Sequence, residues 1–403
     1  MIKLPRLFKL MLLALSLLQL WTFANSTFIE LMDSKGLLFA NGTPVGGDFI
    51  NMWTVAKLVL SGNFAPIYLP EAYVAFQHAA IVDADIGIRL WAYPPQSLLI
   101  AAPLGLFSSY HVALAAWSIA GLIMLGFGAR RFGFDWIETA IIVTSPAACA
   151  CIYFGQTGNF GAGLLLVALA PRGKLAPLAA AAAALLTFKP QLGYLLPLLY
   201  ARQRRWWLIA GAGVLSLLLV VVTLAVFGPQ AWRDYVGASL PYLELAHRKS
   251  VGPGILMVPS AFMSFRIVLG NDVLAGQLHL VFATAVGAFL VWRLFSTRDA
   301  IAQTALMLIG TVLITPYMLN YDLAVLLAGA LLVARLHPQS IVVCILVVVA
   351  WSLPTTMIIL NGTGWPVSPL LILPLLVLAG MPPKAVPTTQ PDNLVADARE
   401  IRV

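Results

Sequence analysis

The sequence is short of charge. Lys and Arg number 24 and Asp and Glu 16 among 403 residues, so 10% of the chain is charged, against roughly 25% in water-soluble domains. A surface wetted on all sides cannot be built from so few ionised groups. Cysteine is scarce too. Cys149, Cys151 and Cys344 all lie in apolar runs, with no zinc-ligand spacing and no disulfide framework, so they read as packing residues. A Walker loop, a dinucleotide fingerprint, a nucleophile elbow and a zinc-binding helix are all absent from the sequence. A nucleotide-fuelled reaction is therefore not expected, and the driving energy must arrive with the substrate or from a gradient. No cofactor is expected. Asp83 and Asp85 stand close together, but in a polar loop, where they read as solvated rather than as metal ligands.

What is present is apolar length. Hydrophobic residues make up 61% of the chain, mean hydropathy is +0.91, and long runs recur from end to end. The expected fold is all-α, a polytopic transmembrane helical bundle; the alternation of a β-barrel is missing. The net charge of +8 would suggest nucleic acid in a soluble protein. Here the basic residues sit in short loops between apolar runs, which sets topology instead. The N-terminus looks like a signal peptide without a small-residue cleavage site, so it is read as a retained first helix, about 8–28. Lys3, Arg6 and Lys9 precede it and place the N-terminus in the cytoplasm.

A long first outer loop, 29–93, follows. The 95–129 stretch is too long for one span and short for two, which predicts a proline-started half helix plus one span ending at Arg130 and Arg131. Further apolar segments fall at 137–154, 157–170, 207–227, 273–295, 301–315, 323–336, 340–360 and 366–380. The segment 175–201 is broken at Lys189-Pro190-Gln191 and reads as a hairpin, and 229–271 reads as a late outer loop with short helices. The sum is about 12 spans in one domain, 1–381, followed by a disordered cytoplasmic tail, 382–403.

This topology sends the polar interruptions to the outer face: GGDF at 46–49, WAYPP at 91–95, GQTGN at 155–159, KPQ at 189–191, His247, TPYMLNYD at 315–322 and NGTGW at 361–365. Polar groups near lipid are costly and usually functional. Each also has a plainer explanation. Asp48 precedes an apolar stripe at 49, 52, 53, 56 and 60, which predicts an amphipathic helix lying at the interface; Asp48 is either its N-cap or a general base at the membrane edge. Lys189 either snorkels or receives a phosphate. Tyr93 and the prolines after it start a helix. Gln156 and Asn159 either form a tight turn or hydrogen-bond sugar hydroxyls. His247, Arg248 and Lys249 form either a solvated face or an anion site. Tyr317 and Tyr321 suit an interfacial belt, and Asp322 opens a helix. Asn361-Gly362-Thr363 matches a glycosylation acceptor.

Taken in order, GGDFINMWTVAKLVLSGN, IYLPEAY, WAYPPQSLLIAAPLGLFS, GQTGN, TFKPQLGYLLPLL with RRWW, and TPYMLNYD resemble the bacterial polytopic polyprenol-phosphate-mannose-dependent mannosyltransferases of the alpha-1,2 type. The resemblance runs from about residue 1 to 335. It implies the C-type glycosyltransferase architecture, a lipid-phosphate-linked sugar as donor, and an acidic residue in the first outer loop acting near the acceptor, here Asp48. Where that family's late motif carries a tryptophan or histidine, this chain reads Pro316-Tyr317-Met318-Leu319-Asn320-Tyr321-Asp322.

The expected function is transfer of a hexose, mannose-like, from polyprenyl phosphate to an acceptor hydroxyl, with inversion, at the outer face of a bacterial inner membrane. Asp48 is the expected base. The expected substrate-binding residues are Lys189, Gln191, Gln156, Asn159, Tyr93, His247, Arg248, Tyr317, Tyr321 and Asp322. Trp53 and Tyr68 would hold the lipid–water boundary. Expected partners are the polyprenyl-phosphate sugar, a lipid or glycan acceptor and membrane lipids, with no nucleic acid. A secondary transporter, or a flippase-like protein for lipid-linked glycans, is the alternative that broken helices and an intramembrane lysine also suit.

Overall fold

The computed structural model describes residues 5–80, 90–170, 176–249 and 253–382, with only the backbone described over 245–249 and at 253. Asp83, Asp85 and the tail from 383 lie outside the described residues, and so do the expectations attached to them. Among the described residues the regular structure is helical throughout. Two isolated bridges, Lys35 with Leu38 and Leu38 with Pro44, tie the turn that enters the first loop.

Five helices are long and apolar enough to cross a membrane: Arg6–Met32, Tyr110–Phe132, Trp206–Glu244, Asp272–Ser296 and Ile341–Gly362. A sixth candidate is the pair Trp136–Val143 and Pro146–Tyr153, bent by 41°. Against about 12 expected spans, only these five or six qualify by length and composition among the described residues; the other apolar segments form shorter helices of 10–17 residues, among them Gly158–Ala168, Ala176–Phe188, Ala300–Ile314, Ala324–Leu336 and Ser368–Gly380. Proline and glycine set the breaks. Pro146 starts the second half of the bent pair, capped by the Ser145 hydroxyl. Gly228, in the left-handed region at φ 79°, and Pro229 kink the long helix that begins at Trp206. The 95–129 stretch divides into Gln96–Leu106 and the Tyr110–Phe132 span.

The short helices form the core and the long ones surround them. Every residue of Ala324–Leu336 is buried, and nearly all of Ala300–Ile314 and Gly158–Ala168 are buried too. Gly158–Ala168 packs against Tyr110–Phe132 at backbone distance: a Cβ on Gly128 would strike the Gly163 carbonyl, and one on Gly163 the Met124 carbonyl. By contrast the helix from Trp206 exposes Val214, Leu217, Leu218 and Val221, an apolar face suited to lipid.

Ala324–Leu336 carries charge near both ends. Asp322 stands just before it, and Arg335 near its end, a helix of 13 residues or roughly 20 Å apart at 1.5 Å per residue. At the far end Arg335 is ion-paired to Glu138, and its Nη2 donates to the Gly133 carbonyl at 3.2 Å. Lys9 is ion-paired to Asp135 and lies 4.0 Å from Glu138. Asp135 and Glu138 also form the capping box of Trp136–Val143. Lys9, read from sequence as a topology signal, is thus buried in an ion-pair cluster that fixes the first helix to the bundle.

The first loop departs from expectation. Phe49–Leu60 does not lie open on an interface: Phe49, Ile50, Met52, Thr54, Val55, Ala56 and Leu58 are all buried, under Gln96–Leu106. Gly105 permits that contact, because a Cβ there would sit 2.6 Å from the Ala56 carbonyl. Tyr68, expected at the lipid boundary, is 2% exposed and donates to the Tyr93 carbonyl at 3.1 Å. A second hydrophobic core, with Tyr73, Trp91, Leu98, Tyr110 and Trp117, covers both faces of the helix. Trp53 is half-buried, edge-on to Tyr110 with ring centroids 5.6 Å apart. The glycosylation reading of Asn361 also fails on burial: its amide donates to the Leu256 carbonyl at 2.8 Å, inside the protein.

Candidate active site

Two tight turns meet at Asp48. Gly46 and Gly47 have φ of 72° and 50°, and Gly155, at 58°, approaches so closely that a Cβ would overlap the Gly46 carbonyl and Phe49. Side chains rarely adopt this backbone geometry, so glycine is required on both sides of the contact. The Asp48 N–H donates to the Phe154 carbonyl at 3.0 Å. Asp48 occupies the N-cap position of Phe49–Leu60, yet its side chain makes no capping hydrogen bond. Its Oδ2 instead accepts from Gln156 Nε2 at 2.7 Å. The carboxylate is half-buried.

From Gln156 the contacts continue inward. Tyr93 Oη donates to Gln156 Oε1 at 3.1 Å and lies 3.0 Å from Thr157 Oγ1. Burial pushes the Tyr93 phenol up against the opposing pull of Lys189, so it stays a protonated donor at neutral pH. Lys189 Nζ donates to Thr157 Oγ1 at 3.4 Å and to Asp322 Oδ1 at 2.5 Å, and sits 5.3 Å from the Tyr321 ring centroid. Lys189 is 4% exposed. It does not snorkel and does not project toward a headgroup; its charge is met by Asp322 inside the protein. Gly158 makes the junction possible, since a Cβ there would strike the Tyr321 carbonyl.

Asp48, Tyr93, Gln156, Lys189, Tyr321 and Asp322 are therefore brought together. Three expected residues are not in this chain of contacts. Asn159 turns away, donating to the Ala148 carbonyl at 3.3 Å. Gln191 is half-buried on the short turn after Pro190, and Tyr317 packs edge-on to Phe262 with centroids 5.2 Å apart. His247 and Arg248 lie on Leu240–Lys249, where side chains are outside the described residues. Thr157 is the residue that sequence reasoning passed over. It sits in the quoted GQTGN motif, between the two amides that drew attention. Among the described residues, no group of three His, Cys, Asp or Glu side chains is placed to hold a metal ion.

The family model for glycosyltransferase family 87 matches residues 91–316, more than half of the chain. The chain belongs to glycosyltransferase family 87. It is a polytopic membrane glycosyltransferase of the C-type class, which decides between the transferase and the transporter. No curated protein and no solved structure matches the chain. The family 87 segment contains Tyr93, Gln156, Thr157 and Lys189. Asp48 and Asp322 lie outside it, on either side, and are joined to it by the hydrogen bond from Gln156 and the ion pair with Lys189.

Proposed function

We propose that this family 87 enzyme transfers a hexose, mannose-like, from a polyprenyl-phosphate donor to an acceptor hydroxyl at the outer face of a bacterial inner membrane, with inversion. Asp48 is the general base. The acceptor oxygen bonds to the anomeric carbon as its proton passes to the Asp48 carboxylate. The bond from that carbon to the phosphate oxygen breaks, and polyprenyl phosphate leaves with the electron pair. The observation that carries this reading is the state of Asp48: it holds an N-cap position without capping, half-buried, oriented by Gln156. A carboxylate held in this way is prepared to accept a proton.

The leaving phosphate needs a cation close by. With Lys189 neutralised by Asp322, the basic end of Leu240–Lys249, with His247, Arg248 and Lys249, is the better source. The acceptor is a lipid or glycan.

Membranes carrying the protein, supplied with radiolabelled polyprenyl-phosphate mannose, test the assignment. Asp48→Asn is expected to lower transfer by about 10²- to 10⁴-fold, the span for a lost general base, at unchanged protein abundance. Full activity in that variant would remove Asp48 from catalysis.

A further inference from the structure

Four hydrogen bonds join Lys189 to Asp48, and their direction is set at both ends. An ammonium only donates and a carboxylate only accepts. Lys189 Nζ donates to Thr157 Oγ1 at 3.4 Å, the longest link. The Thr157 hydroxyl hydrogen is then directed to Tyr93 Oη at 3.0 Å, the Tyr93 hydrogen to Gln156 Oε1 at 3.1 Å, and the Gln156 amide hydrogen to Asp48 Oδ2 at 2.7 Å. Tyr93 has one hydroxyl hydrogen, and Gln156 Oε1 can only accept it, so the Thr157–Tyr93 link runs from Thr157. Asp322, 2.5 Å from Lys189 and itself buried, keeps the lysine charged.

We propose that Lys189 is a positioning residue for Asp48, acting through Thr157, Tyr93 and Gln156, rather than the receptor for the donor phosphate. This rests on Asp48 being the base. A donor fixed on Oδ2 holds the carboxylate in one orientation. Successive bonds pointing the same way polarise one another. A base held in place before substrate arrives has less orientational freedom to lose at the transition state. The polar residues of three separate motifs, WAYPP, GQTGN and KPQ, thus act on one carboxylate in the first loop, and Asp322 of a fourth completes the set.

Other ionisable groups surround the base. Tyr93 and Tyr321 interact electrostatically with Asp48, and Lys189, Asp322 and Cys151 act on those tyrosines. Lys57, on the helix that Asp48 opens, donates to the Gly105 and Phe107 carbonyls. Tyr110 donates to the Val45 carbonyl. Tyr153, on the packed Pro146–Tyr153 helix, donates to Glu30 at 2.9 Å.

The test is Thr157→Val, which removes the hydroxyl at nearly constant volume, beside Thr157→Ser, which keeps it. Transfer from polyprenyl-phosphate mannose in membranes is followed against donor concentration. The valine variant is expected to lose about tenfold in apparent kcat, with donor KM within about twofold. The serine variant should recover most of the rate. If the valine variant does not accumulate, Tyr93→Phe breaks the same chain one link nearer Asp48 and is read in the same way. A wild-type rate in the valine variant, with Asp48→Asn inactive, would overturn the proposal while leaving Asp48 as base. So would Lys189→Met with raised donor KM and unchanged kcat, which would make the lysine a phosphate receptor. An active Asp48→Asn would overturn the base assignment and this proposal together.

Discussion

The pair formed by Lys189 and Asp322 makes a demanding prediction about stability. The two side chains are 4% and 1% exposed and 2.5 Å apart. With an effective dielectric of about 20, their attraction is about 7 kcal/mol, and removing both ions from water costs several kcal/mol each. The net contribution of the pair is therefore near zero, while loss of one partner strands the other charge. Asp322→Asn and Lys189→Met should each destabilise the fold by about 3–5 kcal/mol. The double variant removes both charges and should cost markedly less than the sum, with a coupling of about 3 kcal/mol. Denaturing-detergent titration of the purified protein, followed by tryptophan fluorescence, measures all four corners of the cycle. Single variants that cost under about 1 kcal/mol, or a double variant that is simply additive, would show that the buried charges are not paired as described. The double variant should also keep a roughly tenfold loss of kcat while regaining stability, because the hydrogen-bonded chain to Asp48 has lost its source.

Three further outcomes are expected. Gly158→Ala should abolish activity and lower stability by about 1–3 kcal/mol, measured by the same titration, because its Cβ would strike the Tyr321 carbonyl. The contribution of Asp135 should depend on pH: although burial opposes it, the Lys9 side chain and the Glu138 N–H hold its carboxyl below the usual range. A depressed folded value gives stability that is present above the unfolded pKa, about 3.9, and lost as pH falls through the folded one. The thermal difference between wild type and Asp135→Asn should therefore close in acid. In a background without Cys149, Cys151 and Cys344, cysteines at the exposed positions Pro190 and Arg131 should label from opposite sides of the membrane, the first from outside; labelling of both from one side would break the proposed topology.

The sequence exposed the parts of the site but not their connections. Proline and glycine next to polar residues in apolar surroundings marked GGDF, YPP, GQTGN and KPQ, because such breaks are costly in a membrane and visible in one dimension. The pairing of Lys189 with Asp322 spans 133 residues, and nothing local to either announces it. Lys9 with Asp135 and Arg335 with Glu138 were hidden for the same reason. Phe49–Leu60 was misread because a stripe counted along one helix reports one buried face; the opposite face is covered by a second core drawn from Tyr73, Trp91 and Tyr110. Thr157 was passed over because a hydroxyl beside two amides carries little signal until its distances to Tyr93 and Lys189 are known.

Ala324–Leu336 has one further consequence. All of its residues are buried, with Asp322 before it in one ion pair and Arg335 near its end in another. A bilayer thinner or thicker than usual acts on helices that touch lipid, chiefly by tilting them. Here that load falls on the outer helices such as Asp272–Ser296, whose Leu280, Val281 and Trp292 are exposed. The helix that places Asp322 is shielded from it, so catalysis should be indifferent to changes in acyl-chain length that visibly reorient the periphery.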